Sequence, residues 1–365
     1  MIPFLDVSPR GLGIESEIRS ALDTVFASGS FILGEQLIAF EQEFAAYLGV
    51  EFVVGVASGT DALQLALQAA GIGPGDEVIT AANTCVPTLS AILASGATPV
   101  LADIDPRTYT LDPAAVANAL TSRTRSVVPV HLYGHPCDMD AIRAVTESED
   151  ILLIEDCAQA HGAAYRDSRC GTLGKAAAFS FYPTKNLGAY GDAGAVATDD
   201  AELAETVRNL RNYGNIHREN CLVSGTNSRM DEVQAGILRV KLRHLDAWNA
   251  QRGALAEVYS QSLRKHPLGL PQTAEWATHC WHLYAITTER RDELREYLGA
   301  CDIQTLIHYP RPLHLHDAFA FLGKGRGSFP ESERMSDGVL SLPLYPGLDN
   351  AAQSEIIDAI DRFFS

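Results

Sequence analysis

The chain has 365 residues, 46% hydrophobic and 20% charged, which suits an ordinary globular protein with more than one domain. Its net charge of −18 repels nucleic acid and anionic membrane, so neither is an expected partner. No run approaches the roughly 20 apolar residues that cross a bilayer, and Met1-Ile2-Pro3-Phe4-Leu5-Asp6 lacks the basic-then-apolar order of a secretion signal, so a cytoplasmic location is expected.

From Glu51 to about Val196, apolar strand-like runs alternate with helical stretches. Phe52–Val56 reads as a buried strand, Asp61–Ala70 as a helix, Glu77–Thr80 as a short strand and Val86–Ser95 as a helix. Thr98–Asp103 is another strand, followed by a helix over Pro113–Leu120, a strand at Ser126–His131 and a helix from about Met139. Ile151–Asp156 and Ala177–Phe181 are strands, and Ala195–Thr198 is a returning one. Strands apolar throughout, alternating with helices, imply an α/β fold with a mainly parallel sheet covered on both faces. Beyond Ala201 the pattern changes. Glu202–Asn212 is helical, and Asp231–Gln251 reads as one long helix with Leu238, Leu242 and Leu245 on one side. After His266-Pro267, shorter elements are expected at Trp281–Ile286, Arg291–Leu298 and Gln304–Ile307. A boundary near 250 gives a large domain over residues 1–250 and a smaller α+β domain over 251–365.

The seven cysteines include no CxxC pair and read as free thiols. His131, His135, Cys137 and Asp138 lie close in sequence, but no second half with matching spacing follows. They read as loop and core residues, and no metal site is expected.

In open α/β sheets, ligands collect at the carboxyl ends of strands, and three strand ends here carry useful chemistry. Ser58-Gly59-Thr60 lies between a strand and a helix, where small residues let main-chain N–H groups approach an anion; taken alone, a plain helix cap is the favoured reading. Asp156 ends an apolar strand, with Gln159 and His161 just beyond. A carboxylate there is costly unless a cation such as a protonated pyridine nitrogen faces it, although a helix cap is again the plain alternative. The third strand runs through Ser180 into Tyr182-Pro183-Thr184-Lys185-Asn186-Leu187-Gly188, a turn that ends in a lysine. A lysine between a buried strand and a close-packed turn suits a group that must at times be a neutral nucleophile. Gly188, Gly191 and Gly194 do not have dinucleotide-binding spacing.

The run Phe179-Ser180-Phe181-Tyr182-Pro183-Thr184-Lys185-Asn186-Leu187-Gly188-Ala189-Tyr190-Gly191-Asp192 resembles the cofactor-lysine segment of the DegT/StrS-like nucleotide-sugar aminotransferases, which are fold-type I pyridoxal 5′-phosphate (PLP) enzymes. Glu155-Asp156-Cys157-Ala158-Gln159-Ala160-His161-Gly162 resembles the family's pyridine-binding segment. Val130–Gly134, Arg211–Gly214, Asn227–Glu232 and Ile307–Pro310 resemble further family motifs, in family order. The resemblance implies a Schiff base on Lys185, which then shuttles the proton. It implies Asp156 on the pyridine nitrogen, Gln159 on the phenolic oxygen, and Gly59, Thr60 and Ser180 around the phosphate. Asn227 would reach the phosphate of the neighbouring subunit, which makes the active unit a homodimer with shared sites. His161, Tyr182, Arg229, His308, Tyr309 and His314 would lie towards the substrate, Arg229 being equally compatible with a structural ion pair. Many relatives carry a ring-stacking aromatic residue where Asn83-Thr84-Cys85-Val86-Pro87 puts Cys85. A thiol covers less of a ring face.

What the resemblance implies is transamination of a nucleotide-linked keto sugar, most similar to a dTDP-3-keto-6-deoxyhexose, with L-glutamate as amino donor. A cyclitol ketone of the scyllo-inosose type is the rival substrate, and a PLP-binding regulator without turnover the rival class. Sugar dehydratases of the same scaffold replace the lysine by histidine, and Lys185 argues against that chemistry.

Overall fold

The computed structural model describes residues 1–147, 150–217, 220–221 and 223–365. Seven short runs form the main sheet: β1 (Phe52–Val56), β2 (Glu77–Ala81), β3 (Thr98–Ala102), β4 (Thr124–Val128), β5 (Leu152–Asp156), β6 (Ala176–Ser180) and β7 (Gly194–Thr198). Their order across the sheet is β1-β7-β6-β5-β4-β2-β3. β7 runs against its neighbours β1 and β6, and the pairs from β6 to β3 are parallel. Side chains alternate faces with period two. Val54, Val56, Ala178 and Val196 therefore point into one core, and Val53, Ala177, Phe179, Ala195 and Ala197 into a second. Both faces are buried, which is why the strands lack a polar side.

Helices α1 (Glu15–Ser28), α2 (Glu35–Leu48), α3 (Gly59–Ala69), α4 (Val86–Ala94), α5 (Pro113–Ala119), α6 (Met139–Thr146) and α7 (Ala201–Leu210) belong to this part of the chain. Ser58, Asp112, Asp138 and Asp200 stand just before α3, α5, α6 and α7, and each accepts a first-turn backbone N–H.

The long helix expected over Asp231–Gln251 is two helices, α8 (Glu232–Leu242) and α9 (Leu245–Leu263). Between them Arg243 and His244 both turn to Glu17 of α1, at 2.8 and 3.0 Å, an attachment that apolar spacing does not report. α9 starts with Leu245 in the second core and ends with Leu255, Ala256, Tyr259 and Leu263 in a third. That third core also takes Ile2, β8 (Tyr284–Thr287), β9 (Val339–Leu342), α10 (Arg291–Ala300) and α12 (Asn350–Phe364), while α11 (Pro330–Gly338) leads into β9. Gln304–Ile307 is not a strand. It divides its backbone bonds, Gln304 N–H going to Ile2 and Leu306 pairing with Ser341, and prolines at 310 and 312 stop any extension. The seven cysteines are free thiols.

Candidate active site

The carboxyl ends of β5 and β6 lie side by side, with Asp156 registered against Ala178. Past β6, Phe181 N–H still bonds Ala193 and Ala189 N–H returns to Phe181, so residues 182–188 project as a closed turn. Lys185 sits on that turn, half-buried, with its backbone N–H on the Tyr182 carbonyl. Burial pulls its pKa below the ordinary lysine value, while the charges of Cys85 and Asp156 push it back up. Asp156 shows the mirror effect. Burial raises its carboxyl above the usual range, against N–H and O–H bonds from Ala158 and Thr88 and the positive charge of Lys185. The two groups thus feel each other without forming an ion pair.

Each Asp156 oxygen has one donor: Ala158 N–H reaches Oδ1 at 3.1 Å and Thr88 O–H reaches Oδ2 at 2.8 Å. Gln159 is clamped, its Oε1 accepting Tyr133 N–H at 2.7 Å and its Nε2 donating to the Tyr309 hydroxyl at 3.0 Å. Cys85 stands just before α4 beside the same group, and burial, then the charge of Asp156, raises its thiol pKa. On the far side, α3 meets β6 almost backbone to backbone. A Cβ on Gly59 would lie 2.4 Å from Ser180 Cβ and 2.9 Å from its Cα, so only glycine fits. Thr60 follows in the first turn of α3, where backbone N–H groups are free of intrahelical partners.

Not every expected residue joins this group. Asn227 is exposed, and its backbone bridges to Asn212. Arg229 Nη1 holds Asn212 Oδ1 at 3.1 Å and its guanidinium lies over Tyr213. Tyr182 is exposed on the turn. His308 Nδ1 pairs with Ser341 Oγ at 2.9 Å, and burial followed by the Lys185 charge lowers its pKa to about 4. His161 is enclosed against Phe179 and Phe181, and burial, then Lys185, takes its pKa to about 3. Neither of its ring nitrogens has a hydrogen-bond partner among the described residues. His314 is also enclosed, bonded to Glu333 Oε1 at 2.9 Å and set edge-on to Phe329.

The four residues weighed as metal ligands are each engaged elsewhere. His131 Nδ1 accepts Cys137 N–H, Cys137 Sγ donates to Val130, His135 Nε2 accepts Ala274 N–H, and Asp138 caps α6. Since Nδ1 accepts, His131 carries its proton on Nε2 and donates it to Glu155 at 2.9 Å.

Several residues of consequence were not singled out from the sequence. Glu155, fully buried beside Asp156, accepts the backbone N–H groups of Gly171, Leu173 and Gly174 at 2.7–2.9 Å as well as His131. A charge inside an apolar strand was the signal for it. Glu155→Gln keeps the shape but loses the charge and one acceptor oxygen, so a destabilisation of about 2–3 kcal/mol is expected. An unchanged thermal midpoint would contradict that. Asn186, next to Lys185, donates to Asn249 Oδ1 and the Cys280 carbonyl, both at 2.8 Å, and accepts from His282 Nδ1 at 3.0 Å. Asn249 in turn donates to the His161 carbonyl, so one amide pair ties the lysine turn and the Gln159–His161 loop to α9. Lys241 donates to the Gly188 carbonyl at 2.6 Å and closes the turn from below.

A mainly parallel sheet with one reversed strand, bearing a half-buried lysine opposite a buried aspartate, is the framework of a fold-type I PLP-class transferase. The chain belongs to the DegT/DnrJ/EryC1/StrS aminotransferase family, whose model matches residues 13–361. It is 49% identical over 360 residues to the dTDP-3-amino-3,4,6-trideoxy-alpha-D-glucose transaminase of Streptomyces venezuelae, covering 98% of this chain and 95% of that one. It is also 49% identical to the erythromycin biosynthesis sensory transduction protein EryC1 of Saccharopolyspora erythraea, with 98% of each covered. The crystal structure of S. venezuelae DesV in complex with a ketimine intermediate superposes with a TM-score of 0.97 at 49% identity, covering 100% of this chain and 98% of that one. No helix among the described residues is long and apolar enough to cross a membrane.

Proposed function

We propose that this chain binds PLP on Lys185 and transfers an amino group from L-glutamate to carbon 3 of a dTDP-linked 3-keto-6-deoxyhexose. The carrying observation is Asp156: a buried carboxylate held by two neutral donors, with no ion-paired cation among the described residues and a lysine amine in the same recess. A cationic heterocycle completes that charge balance. The Gly59–Ser180 contact, with Thr60 at the start of α3, supplies a cradle for its phosphate. When bound, PLP supplies the electron sink that makes the donor's α-hydrogen acidic.

The protein's residues would do the rest. Asp156 keeps the ring nitrogen protonated. Gln159, already clamped by Tyr133 and Tyr309, presents its amide towards the phenolic oxygen. Lys185, its charge disfavoured by burial, takes a proton from one carbon and returns it to another. Cys85 would face the ring, and Asn227, exposed in this chain, would reach the phosphate of a second copy in a homodimer. Tyr182, Arg229, His308 and Tyr309 line the approach for the nucleotide sugar, and the enzyme works in the cytoplasm. Support for the substrate comes from the activity for which the S. venezuelae relative is named.

The test offers dTDP-, UDP- and GDP-keto sugars and scyllo-inosose, each with glutamate, and detects aminated product by mass. Amination of a dTDP-3-keto sugar is expected. Exclusive amination of scyllo-inosose would overturn the substrate. One relative of equal identity is named for sensory transduction, so glutamate-dependent bleaching of the bound cofactor's absorbance is the second readout. No bleaching would favour a regulator.

A further inference from the structure

We propose that Thr84 and Thr88 form a one-way hydroxyl relay that presents the Asp156 carboxylate to the cofactor's ring nitrogen, which makes both threonines positioning residues. This rests on the proposed cofactor reading and adds two residues to it. Thr88 Oγ1 lies 2.8 Å from Asp156 Oδ2 and 3.0 Å from Thr84 Oγ1. An ionised carboxylate has no hydrogen to give, so Thr88's single hydroxyl hydrogen goes to Asp156. Its oxygen must then accept from Thr84, and both hydroxyl dipoles point at the acid. All three side chains are buried, with Thr84 and Thr88 each 1% exposed, so water does not compete.

The other titratable groups that face Asp156 are Lys185, Cys85 and His131, and none of them donates to Oδ2. Ala158 N–H, from the next turn of chain, serves Oδ1. Thr88 is thus the donor that arrives from a different element, across 68 residues of sequence. It is placed by β2 and the start of α4, the same segment that presents Cys85. Valine at 88 has the same shape but leaves Oδ2 bare. A bare buried carboxylate turns away or takes up a proton, and in either case it no longer pairs with a protonated ring.

The experiment uses the full-length chain as wild type, Thr88→Val, Thr88→Ser, Thr84→Val and the double valine variant, each stripped of cofactor and then titrated with PLP. Affinity is read by equilibrium dialysis, and the visible absorbance of the bound cofactor is followed against pH. Thr88→Val is expected to bind PLP about tenfold more weakly and to shift the absorbance titration, because a hydrogen bond to a charged group is lost. Thr88→Ser restores both. Thr84→Val gives a smaller loss, about threefold, and the double variant is no worse than Thr88→Val because Thr84 acts through Thr88. Wild-type affinity and spectrum in Thr88→Val, or losses that multiply in the double variant, would overturn the relay while leaving the cofactor reading standing. If Thr88→Val does not fold, Thr84→Val at an unchanged melting temperature must still shift the spectrum. Failure of the wild type itself to take up PLP overturns the cofactor reading and the relay with it.

Discussion

Lys185→Ala removes turnover, a fall on the order of 10⁴-fold or more, while the chain stays folded and still binds the aminated cofactor. The fold tolerates the change because the Lys185 amine makes no hydrogen bond or ion pair among the described residues that would be left unmatched; burial lowers its pKa, and nearby Cys85 and Asp156 raise it. The chemistry does not tolerate it because no neighbour can substitute. His308 is held to about 4 and is a weak base, with Nδ1 engaged by Ser341. Cys85 is kept a thiol by burial. Another buried amine, Lys241, is committed to the Gly188 carbonyl and lies over the Tyr190 ring. Steady-state rates with glutamate and the accepted keto sugar, alongside a melting curve, decide the matter. Turnover within about tenfold of wild type would remove Lys185 from the centre of the mechanism.

The strands were legible because a sheet buried on both faces leaves an unbroken apolar run between turn residues. Phe52–Val56 is observed as read, and the other six strands differ from the reading only at their ends. Their polar endings pointed to Asp156, Gln159 and Lys185, and the structure gathers those at adjacent strand ends. Periodicity failed where a long-range polar partner sets the local shape. Glu17 breaks the α8–α9 run, and Ile2 and Ser341 divide Gln304–Ile307 between them. Thr88 and Asn186 escaped for the same reason. A threonine in a first helical turn looks like any other until the fold brings Asp156 to its hydroxyl. The histidines show the same limit from the other side. His161 and His314 are reactive types near promising motifs, and no spacing announces that they pack against Phe179, Phe181 and Phe329.

Asp156→Asn is expected to lower kcat on the order of 10³-fold with little loss of stability, and this substitution separates charge from shape. The amide is isosteric. Its oxygen still accepts Ala158 N–H, now the only contact that is unchanged. Its NH2 group must face Thr88, whose hydroxyl gives up its role as donor to the acid and turns its hydrogen back to Thr84, 3.0 Å away, which displaces the Thr84 hydrogen at a cost of about 1 kcal/mol. What disappears is the negative charge in a recess where burial makes charge costly, and with it the reason for a ring nitrogen to stay protonated. The loss should therefore fall on kcat more than on KM for the sugar, whose contacts lie elsewhere. A variant whose kcat stays within about tenfold of wild type would mean that hydrogen bonding alone, without the charge, suffices at that end of the ring. Asp156→Glu would not substitute, since an added methylene carries the carboxylate past its donors Thr88 and Ala158.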